Sequence, residues 1–286
     1  MVIRVHLGSR TKITIYSVGS LLAMKNKTVI LMAAILSTGL VAIYASAQAA
    51  SAGDGSNKNA GSDTAIPLKE AKLIIEHNVK DKDTGFQGFL DSEGWNNITV
   101  TGPDGKVLNL TGQGKLGQLG LTELFFETVE PENADVPIDE VLKTLPEGNY
   151  TFEGSAIEAG EKQGETIGTA VLTHDIPDGP ELLSPAENAT VPKAEDLHVS
   201  WGPVNKTING SDVNIIAYQL IIEKDEDPDP NMIGTMGLSM YLPPDVNEMT
   251  ISSEFLEPGT DYLWEVLAIE ESGNQSLNSS QFSTSS

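Results

Sequence analysis

Oxygen-bearing side chains crowd into one run, Asp81-Lys82-Asp83-Thr84-Gly85-Phe86-Gln87-Gly88-Phe89-Leu90-Asp91-Ser92-Glu93. The carboxylates of Asp81, Asp83, Asp91 and Glu93 are the ligand type calcium requires, because this hard cation gathers about six to eight oxygens. The spacing is not that of an EF-hand. Counted from Asp81, the sixth position is Phe86 where the loop needs Gly, and the twelfth is Ser92 where it needs Glu. The run is therefore a candidate calcium site of irregular geometry, set against the simpler reading of an exposed acidic loop with Phe86, Phe89 and Trp95 tucked beneath it. His77 and His174 are a second candidate pair, on two strands of one sandwich, with no third ligand at metal spacing.

Catalysis finds less to work with. The chain has no Gly-x-Ser-x-Gly elbow, no His-Glu-x-x-His helix and no Walker loop, and after residue 50 only His77, His174 and His198 could serve as imidazole bases. A glycosidase needs only two carboxylates, which 41 acidic residues leave open. Small tandem β-sandwiches seldom form the necessary cleft, so the expectation is no reaction and no cofactor beyond calcium.

The elements that would hold these residues begin after an export signal. Residues 1–49 carry five cationic side chains and no acidic one, then the apolar run Val29 to Tyr44 and an A-x-A site at Ala45-Ser46-Ala47 or Ala47-Gln48-Ala49. Met24-Lys25-Asn26-Lys27 would open an ordinary signal peptide by itself. Without cleavage the same run is about long enough to anchor in a bilayer, the one route by which this chain would contact a membrane. Residues 50–66, rich in Ser, Gly, Ala, Asn and Asp, read as a flexible tether. After residue 50 there are 41 acidic residues against 12 lysines and no arginine, a net charge near −29. Nucleic acid is excluded, since its binding needs a basic footprint. With no cysteine there are no disulfides, and the fold must be held by its core.

Eight of the 16 asparagines after residue 50 begin Asn-x-Ser/Thr: Asn97, Asn109, Asn149, Asn188, Asn205, Asn209, Asn274 and Asn278. That is about three times what random placement would give, and it suggests N-glycans on an extracellular face. Acidity, sequons and the lack of cysteine together fit a prokaryotic surface protein of archaeal type.

Residues 67–177 read mostly as strands. Ala71, Leu73, Ile75 and His77 alternate; Ile98 and Val100 pair with Leu108 and Leu110 across Gly102-Pro103-Asp104-Gly105; Ile138, Val141, Leu142 and Leu145 have helical spacing behind Pro137. Leu116 to Glu130 should place Leu121, Leu124, Phe125 and Phe126 in a core and leave Glu123, Glu127 and Glu130 solvated. This run resembles a segment of uncharacterised secreted proteins.

In residues 178–286, Leu256-Glu257-Pro258-Gly259-Thr260-Asp261-Tyr262 leads into Trp264, Val266 and Ala268 at period two. Leu197, Val199 and Trp201, then Ile216, Tyr218, Leu220 and Ile222, form further inward rows, and Met249 and Ile251 a short strand. These landmarks resemble a fibronectin type III domain, with a tyrosine corner at Tyr262. Leu145-Pro146-Glu147-Gly148-Asn149-Tyr150 echoes that corner, so the expected fold is all-β, an immunoglobulin-like sandwich followed by a fibronectin type III-like one. On the opposite face, Ile221, Leu263 and Leu267 would make an apolar interface patch, covered either by the first sandwich or by a partner. The function implied is an exported, cell-surface binding or scaffolding protein acting on a protein or envelope polymer. A calcium-dependent glycan-binding module and a carboxylate hydrolase are the alternatives.

Overall fold

The computed structural model describes residues 3–7, 11–15 and 65–286. A hairpin of β1 (Ile3–Leu7) and β2 (Thr11–Ile15) precedes the main body. The expected apolar run Val29 to Tyr44, its cleavage sites and most of the tether lie outside the described residues. Among the described residues, no helix is long and apolar enough to cross a membrane.

Two groups of buried side chains follow. The first is enclosed by β3 (Ile66–Pro67), β4 (Glu70–Asn78), β5 (Asp83–Gly102), β6 (Gly105–Thr111), β7 (Leu121–Glu127), β8 (Gly148–Glu158) and β9 (Glu161–Leu172), with short helices α1 (Gly114–Leu119) and α2 (Ile138–Leu142). Its core holds Leu73, Ile75, Phe86, Trp95, Ile98, Tyr150 and Phe152. The hairpin register is as expected, Ile98 opposite Leu110 and Val100 opposite Leu108, and Val141 anchors α2 to the core. The architecture is a single curled, sandwich-like sheet around that core. The 20-residue β5 pairs with β4 and β7 along its first half and with β6 and β8 along its second. Register shifts between Asp91 and Asn97 mark the bend. Gly94 sits there because a Cβ would come within 2.3 Å of the Ile157 carbonyl.

The second unit faces three strands against four. β10 (Leu182–Ser184), β12 (Leu197–Trp201) and β15 (Glu248–Ile251) form one sheet. β14 (Gly237–Leu242), β13 (Ile215–Lys224), β16 (Asp261–Glu270) and β17 (Gln275–Thr284) form the other, with β11 (Ala189–Val191) parallel to the end of β17. The alternating residues Val199, Trp201, Tyr218, Leu220, Ile222, Tyr262, Trp264 and Val266 fill the space between. Ile216 departs from the expected inward row: a register shift between Ile215 and Ala217 turns it outward and puts Ile215 in the core. Both corners close on tyrosine. The Tyr262 hydroxyl accepts from the Glu257 N–H at 2.8 Å, and the Tyr150 hydroxyl donates to the Pro146 carbonyl at 2.8 Å.

The two units share a sheet. β17 pairs in parallel with β4, Gln275 opposite Glu76 and Leu277 opposite Asn78, so one hydrogen-bonded surface runs from β14 through to β9 and β3.

Candidate functional site

The four carboxylates expected to hold calcium do not converge. Asp83 opens β5 opposite Asn78, whereas Asp91 lies opposite Glu70. Eight steps of extended strand separate them, roughly 26 Å at about 3.3 Å per residue. Asp81 takes a hydrogen bond from Asn78 Nδ2 at 3.0 Å in the turn before β5. Glu93 pairs at the other end with Lys69 Nζ at 3.1 Å. The cause is the one the run hides: Asp83 to Leu90 is strand, not loop, and a strand carries its ends apart. The histidines are occupied separately, His77 Nδ1 with Thr84 Oγ1 at 2.9 Å and His174 Nε2 with the Leu145 carbonyl at 2.9 Å.

A different set of acids meets at the junction. Cross-strand partners share a face, and so do residues two apart. Glu265 lies opposite Ser279; Gln275, four residues before Ser279, lies opposite Glu76; Glu76 lies opposite Gly85; and Gln87, two beyond Gly85, lies opposite Glu127. That sequence of pairings places Glu265, Gln275, Glu76, Gln87 and Glu127 on one face across the joint. Glu130 returns over it from the segment after β7. Its Cγ takes the space a Cβ at residue 85 would fill, 2.7 Å from that position, so Gly85 is what admits it. One carboxylate oxygen each from Glu76, Glu127 and Glu130 lie within 4.8 Å of one another.

Electrostatics record the crowding. Glu76 is 2% exposed, and burial pushes its carboxyl up to about 8 against the hydrogen bond it accepts from Gln275. Burial, then the charges of Glu76 and Glu127, push Glu130 up to about 9. Asp83 rises to about 6 by burial and the nearby Asp81. Glu127, which reaches solvent, is raised by burial and accepts from Gln87 Nε2 at 3.0 Å. Glu127 is exposed as the sequence suggests, whereas Glu130 is part-buried and not freely solvated.

The sequons divide the same way. Asn109, Asn149, Asn188, Asn205 and Asn209 are exposed, and Asn97 is half-buried in β5. Asn274 is 1% exposed and cannot carry a glycan in this fold. Its Oδ1 accepts from the Ile75 N–H at 2.9 Å, and its Nδ2 donates to the carbonyls of Thr173 and Asp175 at 3.1 Å each and to Thr173 Oγ1 at 3.0 Å. Ser276 Oγ donates to the Pro177 carbonyl at 2.5 Å and Asn278 Nδ2 to that of Pro180 at 3.1 Å. Asn274, just before β17, and Ser276 and Asn278 within it therefore form a clasp that ties the connecting segment down. Their period-two spacing was the available signal, masked because the same letters spell two sequons.

Of the expected interface patch, Leu267 is 1% exposed while Ile221 and Leu263 are half-buried. Leu267 lies opposite Leu277, itself buried and paired with Asn78 of the first unit. Leu267 is thus not open to an external partner.

No protein-family model and no curated protein matches the chain. Among solved structures its neighbours are fibronectin type III proteins. A two-domain fibronectin type III segment of chicken tenascin is 14% identical, covering 76% of this chain and 99% of that one, with a TM-score of 0.26. The FN1–FN3 domains of chicken CNTN1 are 12% identical, covering 78% and 68%, at 0.31. The fibronectin(III)-like modules of Clostridium thermocellum CbhA are 12% identical, covering 76% and 93%, at 0.30.

Proposed function

We propose that this chain is an exported, non-catalytic binding or scaffolding protein of the cell surface, a stiff two-unit spacer that offers its outer strands to a protein or envelope polymer. The observation that carries this reading is the strand pairing of β17 with β4, reinforced by the Asn274-Ser276-Asn278 clasp. A joint held by backbone pairing transmits position, as a spacer must, whereas a catalytic pair of units needs room to open a cleft between them. The charge near −29 supports a solvent-facing exterior that resists self-association.

Fractionation of native cells, followed by N-terminal sequencing and glycopeptide mass mapping, tests it. The expected protein is at the surface, begins near Gln48 or Ala50, and carries glycans among Asn109, Asn149, Asn188, Asn205 and Asn209 but none at Asn274. A chain that keeps Val29 to Tyr44 in the membrane fraction would make the signal an anchor. A cytoplasmic chain of bare polypeptide mass would overturn the reading.

A further inference from the structure

We propose that the outer edge of β14 is a docking strand for an extended, cationic segment of a partner polypeptide, which joins the sheet beside it. This rests on the binding role argued above and gives it a surface and a partner class. The Lys224 N–H donates to the Met236 carbonyl at 3.0 Å, one step beyond the register pair Glu223 and Gly237. Antiparallel pairs alternate between bonded and unbonded, so Leu238, Met240 and Leu242 turn their N–H and C=O groups to β13, whereas Gly237, Ser239 and Tyr241 turn theirs away. Among the described residues, no strand takes up that outer edge. Its donors and acceptors recur about every 6.8 Å, the repeat of a neighbouring antiparallel strand, which a polypeptide matches and a glycan does not. The edge is also held in shape. Leu238, Met240 and Leu242 pack against the second core, and Ser239 Oγ accepts from Gln219 Nε2 at 2.8 Å.

Exposed edge strands ordinarily carry a charge, a proline or a bulge that prevents further pairing. β14 has none of these. Its register with β13 is unbroken, and no charged residue occurs from Pro230 to Pro244 in a chain with 41 acidic ones. Met232, Ile233, Met236 and Tyr241 stand exposed on or just before the strand. Acids bracket this neutral strip, Asp225, Glu226, Asp227 and Asp229 before it and Asp245 after. Lys224 is the only cation from residue 223 to 248, and it is spent on Glu257 at 2.5 Å and Glu226 at 3.8 Å. Two carboxylates on one ammonium still leave negative charge. The complementary strand is therefore apolar and basic in alternation. A second copy of this chain fits poorly, because it would bring another charge near −29 against the first.

Fluorescence anisotropy of the full chain with a labelled octapeptide of alternating valine and lysine reads the edge directly. The controls are a valine–glutamate octapeptide and a valine–lysine octapeptide N-methylated at alternate amides, which cannot complete the ladder. Saturable binding is expected for the first peptide and at least tenfold weaker binding for the controls, with slowed amide exchange at Ser239 and Tyr241. Ser239→Pro removes an outward N–H and none that β13 uses, a change edge strands tolerate, and it should weaken binding at least tenfold. Should that variant fail to fold, Ile233→Lys decides: residue 233 is 98% exposed, and a cation there should weaken binding about threefold. No saturable binding of the valine–lysine peptide at millimolar concentration, equal binding of the glutamate peptide, or wild-type affinity in the deciding variant overturns the docking strand. Self-association of the chain that Ser239→Pro abolishes would make a second copy the occupant and overturn it as well. Failure here removes the edge alone, because surface location and export are decided by the fractionation above.

Discussion

Trp264 and Glu265 are consecutive residues of β16, 0% and 3% exposed, and they are buried for unrelated reasons. Trp264 points between the two sheets of the second unit, where Tyr218, Val199 and Leu220 surround it as a local core. Glu265 points the other way, onto the face it shares with Gln275 and Glu76 across the joint. Equal burial on the two sides of one strand thus yields a neutral core on one face and a charged seam on the other. The core is set by segments within one unit, whereas the seam depends on pairing between residues nearly 200 positions apart, Gln275 with Glu76.

Removing a side chain from each face gives the largest effects. Trp264→Ala should cost about 3–5 kcal/mol, the loss of a fully buried aromatic together with the cavity it leaves. Leu267→Lys, one turn of the pleat beyond Glu265, should cost about 2 kcal/mol or more, since an ammonium would be buried there without a partner. Urea denaturation of both variants measures the difference. A Leu267→Lys change tolerated within about 0.5 kcal/mol would mean that this face is open, and the contrast between core and seam would collapse.

How much of this was legible follows the same division. Tyr262, Trp264, Val266 and Ala268 announce their face by period two, and the structure buries all four. Gly102-Pro103-Asp104-Gly105 announces its hairpin by local turn chemistry, and α2 announces itself by helical spacing. Ile216 misleads because a bulge is a one-residue slip that no pattern of polarity marks. The acidic run misleads for a different reason. Gly85 and Gly88 inside Asp83 to Asp91 read as loop residues, yet Gly85 is there to admit Glu130 and Gly88 because a Cβ would strike the Phe126 ring at 2.2 Å. Glu76 alternates with Ile75 and His77 on β4, on the face opposite the core. What buries it is β17, arriving from the other end of the chain, and no window of neighbouring residues contains that fact.

A smaller effect separates the faces by pH. Burial, then the charges of Glu223 and Asp81, push Glu265 from an ordinary 4.5 up to about 7. A carboxyl whose folded-state value is raised keeps its proton in the folded chain when the unfolded chain has lost it. Its contribution to stability is therefore complete below about 4.5 and is lost as pH climbs through about 7. The chain should lose roughly 1 kcal/mol per pH unit from this group across that window. Glu265→Gln should flatten that part of the profile, whereas Trp264→Ala should lower the whole curve without changing its shape. Denaturation midpoints at four or five pH values would show this, and an unchanged slope in Glu265→Gln would remove Glu265 from the seam's charge balance.

The two tyrosine corners give the finest comparison, because they use the same hydroxyl in opposite senses. Tyr262 accepts from the Glu257 N–H, and Tyr150 donates to the Pro146 carbonyl, each at 2.8 Å. Phenylalanine would keep either ring in its core and remove only the oxygen. At Tyr262 this strands a backbone N–H, which has a single bond to make, and orphaned buried N–H groups are rarely tolerated. At Tyr150 it strands a carbonyl, whose second lone pair is still open to other partners. Tyr262→Phe should therefore cost about 1–2 kcal/mol and Tyr150→Phe less than about 1 kcal/mol. The corners also guard different units. Tyr262 stacks on Phe282 of β17 with ring centroids 5.2 Å apart, so a loosened corner there loosens the strand that carries the clasp. Amide hydrogen exchange at Gln275 to Leu277 should then rise in Tyr262→Phe and stay at the wild-type rate in Tyr150→Phe. Equal stability losses, or faster exchange in the Tyr150 variant alone, would show that the joint takes its rigidity from the first unit instead.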